Sequence, residues 1–93
     1  MPIVTQDPLE QAAAALAKDP ATAERIARGI VSRAPSDPRP RLILASALRR
    51  LGRPSDAIPI LNDLARAYPK AARTRFELGL CLCAIGQIGR AHV

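Results

Sequence analysis

The sequence predicts an all-α fold, an α-solenoid of antiparallel helix pairs with about two and a half repeats. Its 93 residues suffice for one small domain. The apolar residues, 48% of the chain, are mostly Ala and Leu, whereas aromatic residues make up 2%, and this composition favours helices over strands. Apolar, small and turn residues also recur together every 34 residues, which indicates stacked structural repeats.

The repeat pattern is carried by pairs of residues that lie 34 positions apart. Pro35 and Pro69 form one such pair, and the same offset relates further positions on both sides of them. The clearest of these pairs are Arg39 and Arg73, Arg41 and Arg75, Leu44 and Leu78, Leu48 and Leu82, Gly52 and Gly86, and Ala57 and Ala91. Because several kinds of position recur together, the chain is predicted to contain repeated helix pairs.

Asp-Pro pairs and glycines predict where each helix begins and ends. Asp7-Pro8, Asp19-Pro20 and Asp37-Pro38 each supply a capping carboxylate and a proline suited to the first helical position. Gly52 and Gly86 stand where the chain would leave a helix and turn. The helices are therefore predicted near residues 8–18, 20–34, 38–51, 54–67 and 71–85, and a sixth helix is predicted to begin near residue 88.

One proline does not fit this plan. Pro59 lies five residues after Pro54, beyond the first helical turn, and its ring can clash with the carbonyl group four residues earlier. We therefore expect a local irregularity in the fourth helix.

Two units of the chain share a spaced set of apolar and small residues. The second unit carries Leu44-Ala45, Leu48, Gly52, Ala57, Leu61, Leu64 and Pro69, and the third carries Leu78-Gly79, Leu82, Gly86 and Ala91. This set resembles the tetratricopeptide repeat, whose period is also 34 residues. The resemblance implies a single domain over residues 1–93, with a degenerate capping repeat over 4–37, a full repeat over 38–71 and a truncated repeat over 72–93.

The predicted third repeat stops before its second helix is complete. Because a solenoid repeat buries its apolar face only against the next element, we expect Leu78, Leu82 and Ile85 to be partly uncovered. The chain is therefore expected to be the N-terminal part of a longer protein, or to self-associate through its open C-terminal end.

The resemblance also implies a groove, because the first helices of tetratricopeptide repeats line an inner surface that binds peptides or partner helices. The corresponding residues here are Arg39, Leu42, Ser46, Arg49, Arg50, Arg73, Phe76, Leu80 and Cys83. Such a groove is basic and partly apolar, so it suits an acidic protein or peptide, although an Arg-rich solubilising surface is the alternative interpretation. The carboxylate clamp of chaperone co-factors does not map, since Leu42 and Ser46 stand where Lys and Asn would be needed.

The formal net charge of +6 is unevenly distributed. Residues 1–37 carry four basic and five acidic side chains, whereas residues 38–93 carry ten basic and three acidic ones. Nucleic acid is a disfavoured partner because only Tyr68 and Phe76 could stack on bases. No run approaches the roughly 20 apolar residues of a membrane helix, and the start of the chain lacks the pattern of a secretory signal. The sequence therefore predicts a cytoplasmic protein.

No constellation of side chains predicts catalysis, a bound metal or a cofactor within these residues. Cys81 and Cys83 project about 200° apart around a helix, so neither a shared metal nor a disulfide is expected. His92, the single histidine, stands at the chain terminus, which makes Cys–His catalysis improbable. Four carboxylates are isolated from one another in the sequence and offer no acid–base pair: Glu24, Asp56, Asp63 and Glu77.

A second resemblance gives an alternative function. Residues 42–53 and 76–80 are similar to the N-terminal repeats of bacterial sulfotransferases, in which the repeats precede a catalytic domain that uses the sulfonate donor PAPS. None of that catalytic motif is present in this chain. The leading prediction is therefore a non-catalytic protein–protein interaction scaffold, and the alternative is the repeat region of a larger enzyme such as a sulfotransferase.

Overall fold

A computed structural model of the chain describes residues 7–90, with the backbone alone over residues 87–90. Its five helices are α1 (Pro8–Lys18), α2 (Pro20–Arg33), α3 (Pro38–Arg50), α4 (Pro54–Ala67) and α5 (Ala72–Arg90). The predicted all-α class is confirmed, and the first five predicted helices begin within one residue of the observed starts. Residues 4–6 of the predicted capping repeat, together with Ala91 and His92, lie outside the described residues.

The Asp-Pro pairs act as predicted at the starts of the first three helices. Asp7, Asp19 and Asp37 each accept a hydrogen bond from a backbone N–H two or three residues later, at 3.0 to 3.3 Å. Each carboxylate thereby satisfies one of the amides that a first turn leaves without a partner. At the start of α4, Arg53 makes no such side-chain bond, and Pro54 alone marks the first helical position.

The two glycines predicted to end helices behave differently. Gly52 adopts a φ of +78° between α3 and α4, a conformation that residues with a side chain rarely take. The prediction for Gly86 is wrong, because α5 continues without a break to Arg90 and no new helix begins near residue 88. The physical difference lies in the next few residues, since Pro54 comes two residues after Gly52, whereas no proline stands after Gly86 to stop the helix.

Pro59 lies inside α4 without interrupting it. The helix is continuous from Pro54 to Ala67, so the predicted helix start is confirmed and the expected irregularity does not amount to a break. Pro59 is exposed, so its ring lies on the outer side of α4, away from the core.

The helices form two layers. Each helix packs against the next along the chain, and α3 also contacts both α1 and α5. Within the described part of the chain, no Cα atom of α2 lies within 8 Å of one in α4, and an ion pair between Glu24 and Arg53, the residue before α4, links the two. Helices α1, α3 and α5 therefore form a continuous inner layer, and α2 and α4 pack against it as the outer layer.

The core lies between these two layers. Small residues at the helix contacts, such as Ala27, Ala45 and Ala57, have no exposed surface and allow the helices to approach closely. The principal core cluster consists of Ala27, Leu44, Ala45, Leu48, Ala57, Leu61, Leu64 and Cys81. Because this cluster holds α3 against α4 and α5, it fixes the position of the inner surface that these helices present.

Candidate functional site

The inner surface is centred on one face of α3. Arg39, Ile43, Ser46 and Arg50 succeed one another at spacings of four, three and four residues, so they share that face. Helices α1 and α5 flank α3 on either side. Side chains from three helices therefore meet along this surface.

A first cavity, here called the Arg73 cavity, opens between α1, α3 and α5 and has a volume of about 210 Å³. Its lining residues are Ala13, Leu16, Leu42, Ile43, Ser46 and Arg73. Ser46 is buried, and its Oγ has no hydrogen-bond partner among the described residues. Arg73 is exposed, and no carboxylate oxygen of the described residues lies within 4.0 Å of it. The cavity thus combines apolar walls with one cation, Arg73, that has no carboxylate partner among the described residues, and it borders the buried Ser46.

A second cavity, here called the Tyr68 cavity, opens where α3 begins, α4 ends and α5 begins. Its volume is about 230 Å³. Its lining residues are Pro38, Arg39, Leu42, Leu64, Tyr68, Ala71 and Thr74. Leu42 belongs to both cavities, and Arg73 and Thr74 are adjacent in the chain, so the two cavities are neighbours that meet at Leu42.

Arg39 contributes its guanidinium to an ion pair at the start of α3. Its Nε lies 3.1 Å from Asp37 Oδ1, and its Nη2 lies 2.8 Å from Asp37 Oδ2. The hydrogen bond from this side chain, together with the weaker effect of the bond from the Arg39 backbone N–H, lowers the pKa of Asp37 below its usual value. The positive charge of Arg39 is therefore already paired within the chain.

Arg49 is also paired, and its partner is the buried Glu77 of α5. Arg49 Nη2 lies 3.0 Å from Glu77 Oε1, and the Glu77 side chain is only 2% exposed. Cys81 lies beside this pair, and burial raises the pKa of its thiol; the Glu77 charge adds to this increase, whereas Arg49 opposes it. This ion pair joins α3 to α5 across the inner layer.

The carboxylates that are isolated in the sequence all have arginine partners in the structure. The remaining pairs are Glu24 with Arg28 and Arg53, Asp56 with Arg53, and Asp63 with Arg66 and Arg41. Sequence spacing predicts the pairs within one helix, such as Arg28 with Glu24, but not those that cross between helices. Much of the arginine charge is therefore neutralised within the fold.

The comparison with known families decides the class of the protein. Residues 14–75 match the family model described as tetratricopeptide repeat. The chain belongs to the tetratricopeptide repeat family. Tetratricopeptide repeats generally mediate protein–protein interaction, and a domain of such repeats is typically non-catalytic.

The other comparisons add no closer relative. No curated protein and no solved structure matches this tetratricopeptide repeat chain. The similarity to the repeats of sulfotransferases therefore stays a prediction. No helix in the part of the chain that the structure describes is long and apolar enough to cross a membrane.

The structure brings together four of the nine residues that the tetratricopeptide repeat pattern places in the groove. Arg39, Leu42, Ser46 and Arg73 line one or both of the cavities. The other five line neither cavity: Arg49, Arg50, Phe76, Leu80 and Cys83.

Two of those five stand on a part of α5 that faces away from α3. Phe76, which is 59% exposed, and Cys83, also exposed, lie 34 residues after Leu42 and Arg49. Leu42 and Arg49 meet residues of α5, whereas within the described chain no later helix of the repeat array covers Phe76 or Cys83.

Sequence reasoning missed several residues that line the cavities. Ala13 and Leu16 belong to the degenerate first repeat, yet their spacing of three residues places them on one face of α1, which is a signal that could have been used. Ile43 lies one helical turn before Ser46 on the face that holds Arg39 and could have been found in the same way. Tyr68 lies in the connection to α5, and only the packing of three helix ends brings it to a cavity.

Proposed function

We propose that this chain is a non-catalytic binding module that holds an acidic polypeptide segment against the inner surface of its tetratricopeptide repeats. The observation that carries the proposal is the Arg73 cavity, in which a guanidinium that has no carboxylate partner among the described residues stands beside apolar walls. A carboxylate of a partner placed there would form a charge-assisted hydrogen bond with Arg73, which is about twice as strong as a neutral one.

The buried hydroxyl in the same cavity supports this proposal. A buried polar group without a hydrogen-bond partner costs about 1 to 3 kcal/mol. Ser46 Oγ is in this condition in the described chain. Ser46 Oγ is closed off from solvent, so a polar atom of a bound segment would supply the missing partner only once the Ser46 side chain turned its hydroxyl toward the cavity, and Arg73 is the group that gains directly from occupation.

Charge on the rest of the inner surface favours the same class of partner. Arg50 lies on the same face of α3 as Ser46, and no carboxylate of the described residues lies within 4.0 Å of it. Residues 38–93 carry ten basic and three acidic side chains, an excess of seven positive charges. This excess attracts acidic segments at a distance, in a manner that added salt weakens.

The experiment is selection from a displayed library of random dodecapeptides, followed by titration of the selected peptides against purified variants. We expect the selected peptides to be enriched in Asp and Glu. We expect Arg73→Glu to weaken their binding by about tenfold or more, since it replaces an attraction by a repulsion.

Arg75→Glu is the matched control, because it makes the same change of charge two residues away on α5, at an exposed position outside both cavities. We expect it to weaken binding by no more than about threefold. The proposal is wrong if no acidic peptides are selected, or if the two variants weaken binding equally, because the attraction is then a property of the whole surface.

A further inference from the structure

We propose that the Tyr68 cavity is a second subsite, which accepts one large apolar side chain of the bound acidic segment. This inference rests on the proposed function. It adds the requirement that the partner carries a large apolar side chain, which attraction between charges alone would not impose. The occupant is a Leu, Ile, Met or Phe side chain of the partner polypeptide, a few residues away from the carboxylate that meets Arg73.

The size of the cavity favours a side chain over a free small molecule. Pockets for small ligands occupy about 300 to 1,000 Å³. The Tyr68 cavity, at about 230 Å³, falls below that range. A cavity of this size suits the single anchoring residue that typically fills a pocket at the centre of a protein–protein interface.

The lining of the cavity favours an apolar occupant. Leu42, Leu64, Ala71 and the ring of Tyr68 present hydrocarbon to it. Arg39 is the one charged residue among the described residues that line the cavity, and its guanidinium is already paired with the carboxylate of Asp37. A charged side chain entering here would therefore lose its hydration without gaining a free partner.

The matching corner of the preceding repeat shows that this apolar character is not imposed by the fold. That corner, between α1, α2 and α3, holds a cavity of about 260 Å³. It includes four charged residues: Asp7, Arg33, Asp37 and Arg39. At the 34-residue offset, Asp37 corresponds to Ala71, and Ala34 corresponds to Tyr68. At these equivalent positions, the Tyr68 cavity therefore has less charge and more apolar surface than the cavity of the preceding repeat.

The neighbouring cation specifies the chemistry around the anchor. Arg73 and Thr74 are consecutive, yet Arg73 lines one cavity and Thr74 lines the other. A segment that crosses Leu42 can therefore place a carboxylate on one side and an apolar side chain on the other. The partner that fits both is an acidic polypeptide segment with a large apolar residue close to its acidic residues.

The test fills the cavity from within and uses the library-selected dodecapeptides as probes. Ala71→Leu adds three carbon atoms at a partly buried lining position, whereas Ala72→Leu makes the same change at the next residue, which is exposed and lines neither cavity. We expect Ala71→Leu to weaken the selected peptides by about tenfold, and Ala72→Leu by less than about twofold.

Changing the peptide as well makes the test specific. Replacing the apolar residue of a selected peptide by Ala is expected to weaken its binding to the unaltered protein about tenfold, but to change its binding to Ala71→Leu by less than about twofold, because the subsite is already filled. Tyr68→Ala, which opens the cavity without filling it, provides a second variant, and we expect it also to weaken binding.

The outcomes separate the two proposals. Equal binding by Ala71→Leu and Ala72→Leu, with Arg73→Glu still weakened, would overturn the subsite and leave the proposed function standing. Selected peptides that are acidic but contain no recurring apolar residue would likewise overturn the subsite alone. Binding that is insensitive to Arg73→Glu would remove the proposed function and the subsite together.

Discussion

The ion pair between Arg49 and Glu77 gives the sharpest prediction about stability. Replacing Arg49 by Met keeps an unbranched side chain of similar length but removes the guanidinium. Glu77 then retains a carboxylate that is 2% exposed and has lost the Arg49 donor. We therefore expect Arg49→Met to be strongly destabilising, although Arg49 is not a member of the principal core cluster.

The magnitude is set by the burial of the two partners. Removing one partner of a buried ion pair costs about 3 to 5 kcal/mol. Arg49 is itself 23% exposed, so water can enter part of the space that it leaves, and the lower end applies. A loss of about 3 kcal/mol changes the folding equilibrium about 150-fold. With a urea dependence of about 1.5 kcal/mol per molar, the unfolding midpoint falls by about 2 M.

The measurement is urea unfolding followed by helical circular dichroism, with two comparison variants. Arg50→Met changes the neighbouring exposed arginine, which has no carboxylate of the described residues within 4.0 Å, and should alter stability by no more than about 0.5 kcal/mol. The double variant Arg49→Met with Glu77→Ile removes both charges and should recover to within about 1 kcal/mol of the unaltered protein. A loss below about 1 kcal/mol for Arg49→Met alone would refute the assignment of a buried, paired Glu77.

Three further predictions concern the backbone, the caps and the thiols. Gly52→Ala should destabilise the fold by about 1 to 2 kcal/mol because of its positive φ, whereas Gly79→Ala, inside α5 with open space around it, should stabilise it by about 0.5 to 1 kcal/mol in the same urea assay. The pKa of Asp37 is lowered in the folded state, so its contribution to stability is present above about pH 4 and is lost as the pH falls through the lower folded pKa. Asn cannot titrate, so Asp37→Asn should make the urea unfolding midpoint less sensitive to pH below about 4. Burial raises the pKa of Cys81, so an aromatic disulfide reagent at about pH 8 should modify Cys83 first and Cys81 only on unfolding; equal rates in the folded state would contradict this assignment.

The positions of the helices could be predicted because their signals are local. A carboxylate followed by proline fixes a helix start within a few residues, and the structure places α1, α2 and α3 where those pairs occur. The error at Gly86 has the same origin. The repeat period assigns Gly86 the role of Gly52, but it does not report whether a proline stands nearby to prevent the helix from continuing.

The electrostatics of the inner surface could not be predicted in this way. Arg49 and Glu77 are 28 residues apart, and they meet only because α3 and α5 pack side by side. The sequence identifies a cluster of arginines but not which of them are neutralised by carboxylates from other helices. As a result, Arg39, Arg49 and Arg73 look equivalent in the sequence, whereas of these three only Arg73 has no carboxylate partner among the described residues.

At some positions related by the 34-residue period the residue type changes, and these changes give the two repeats different ion pairs and cavity linings. Leu48 and Leu82 are equivalent residues of the same type, but Leu48 is 1% exposed within the core cluster, whereas Leu82 is 54% exposed because no later helix of the described chain covers it. Ile43 and Glu77 are also equivalent, but there the residue type changes, and the change creates an ion pair between helices. Asp37 and Ala71 differ in the same way, and that change removes a carboxylate from the lining of the Tyr68 cavity. The 34-residue period therefore specifies the helical scaffold. The positions at which the residue type departs from the period make the surface of one repeat differ from that of the next in charge and polarity.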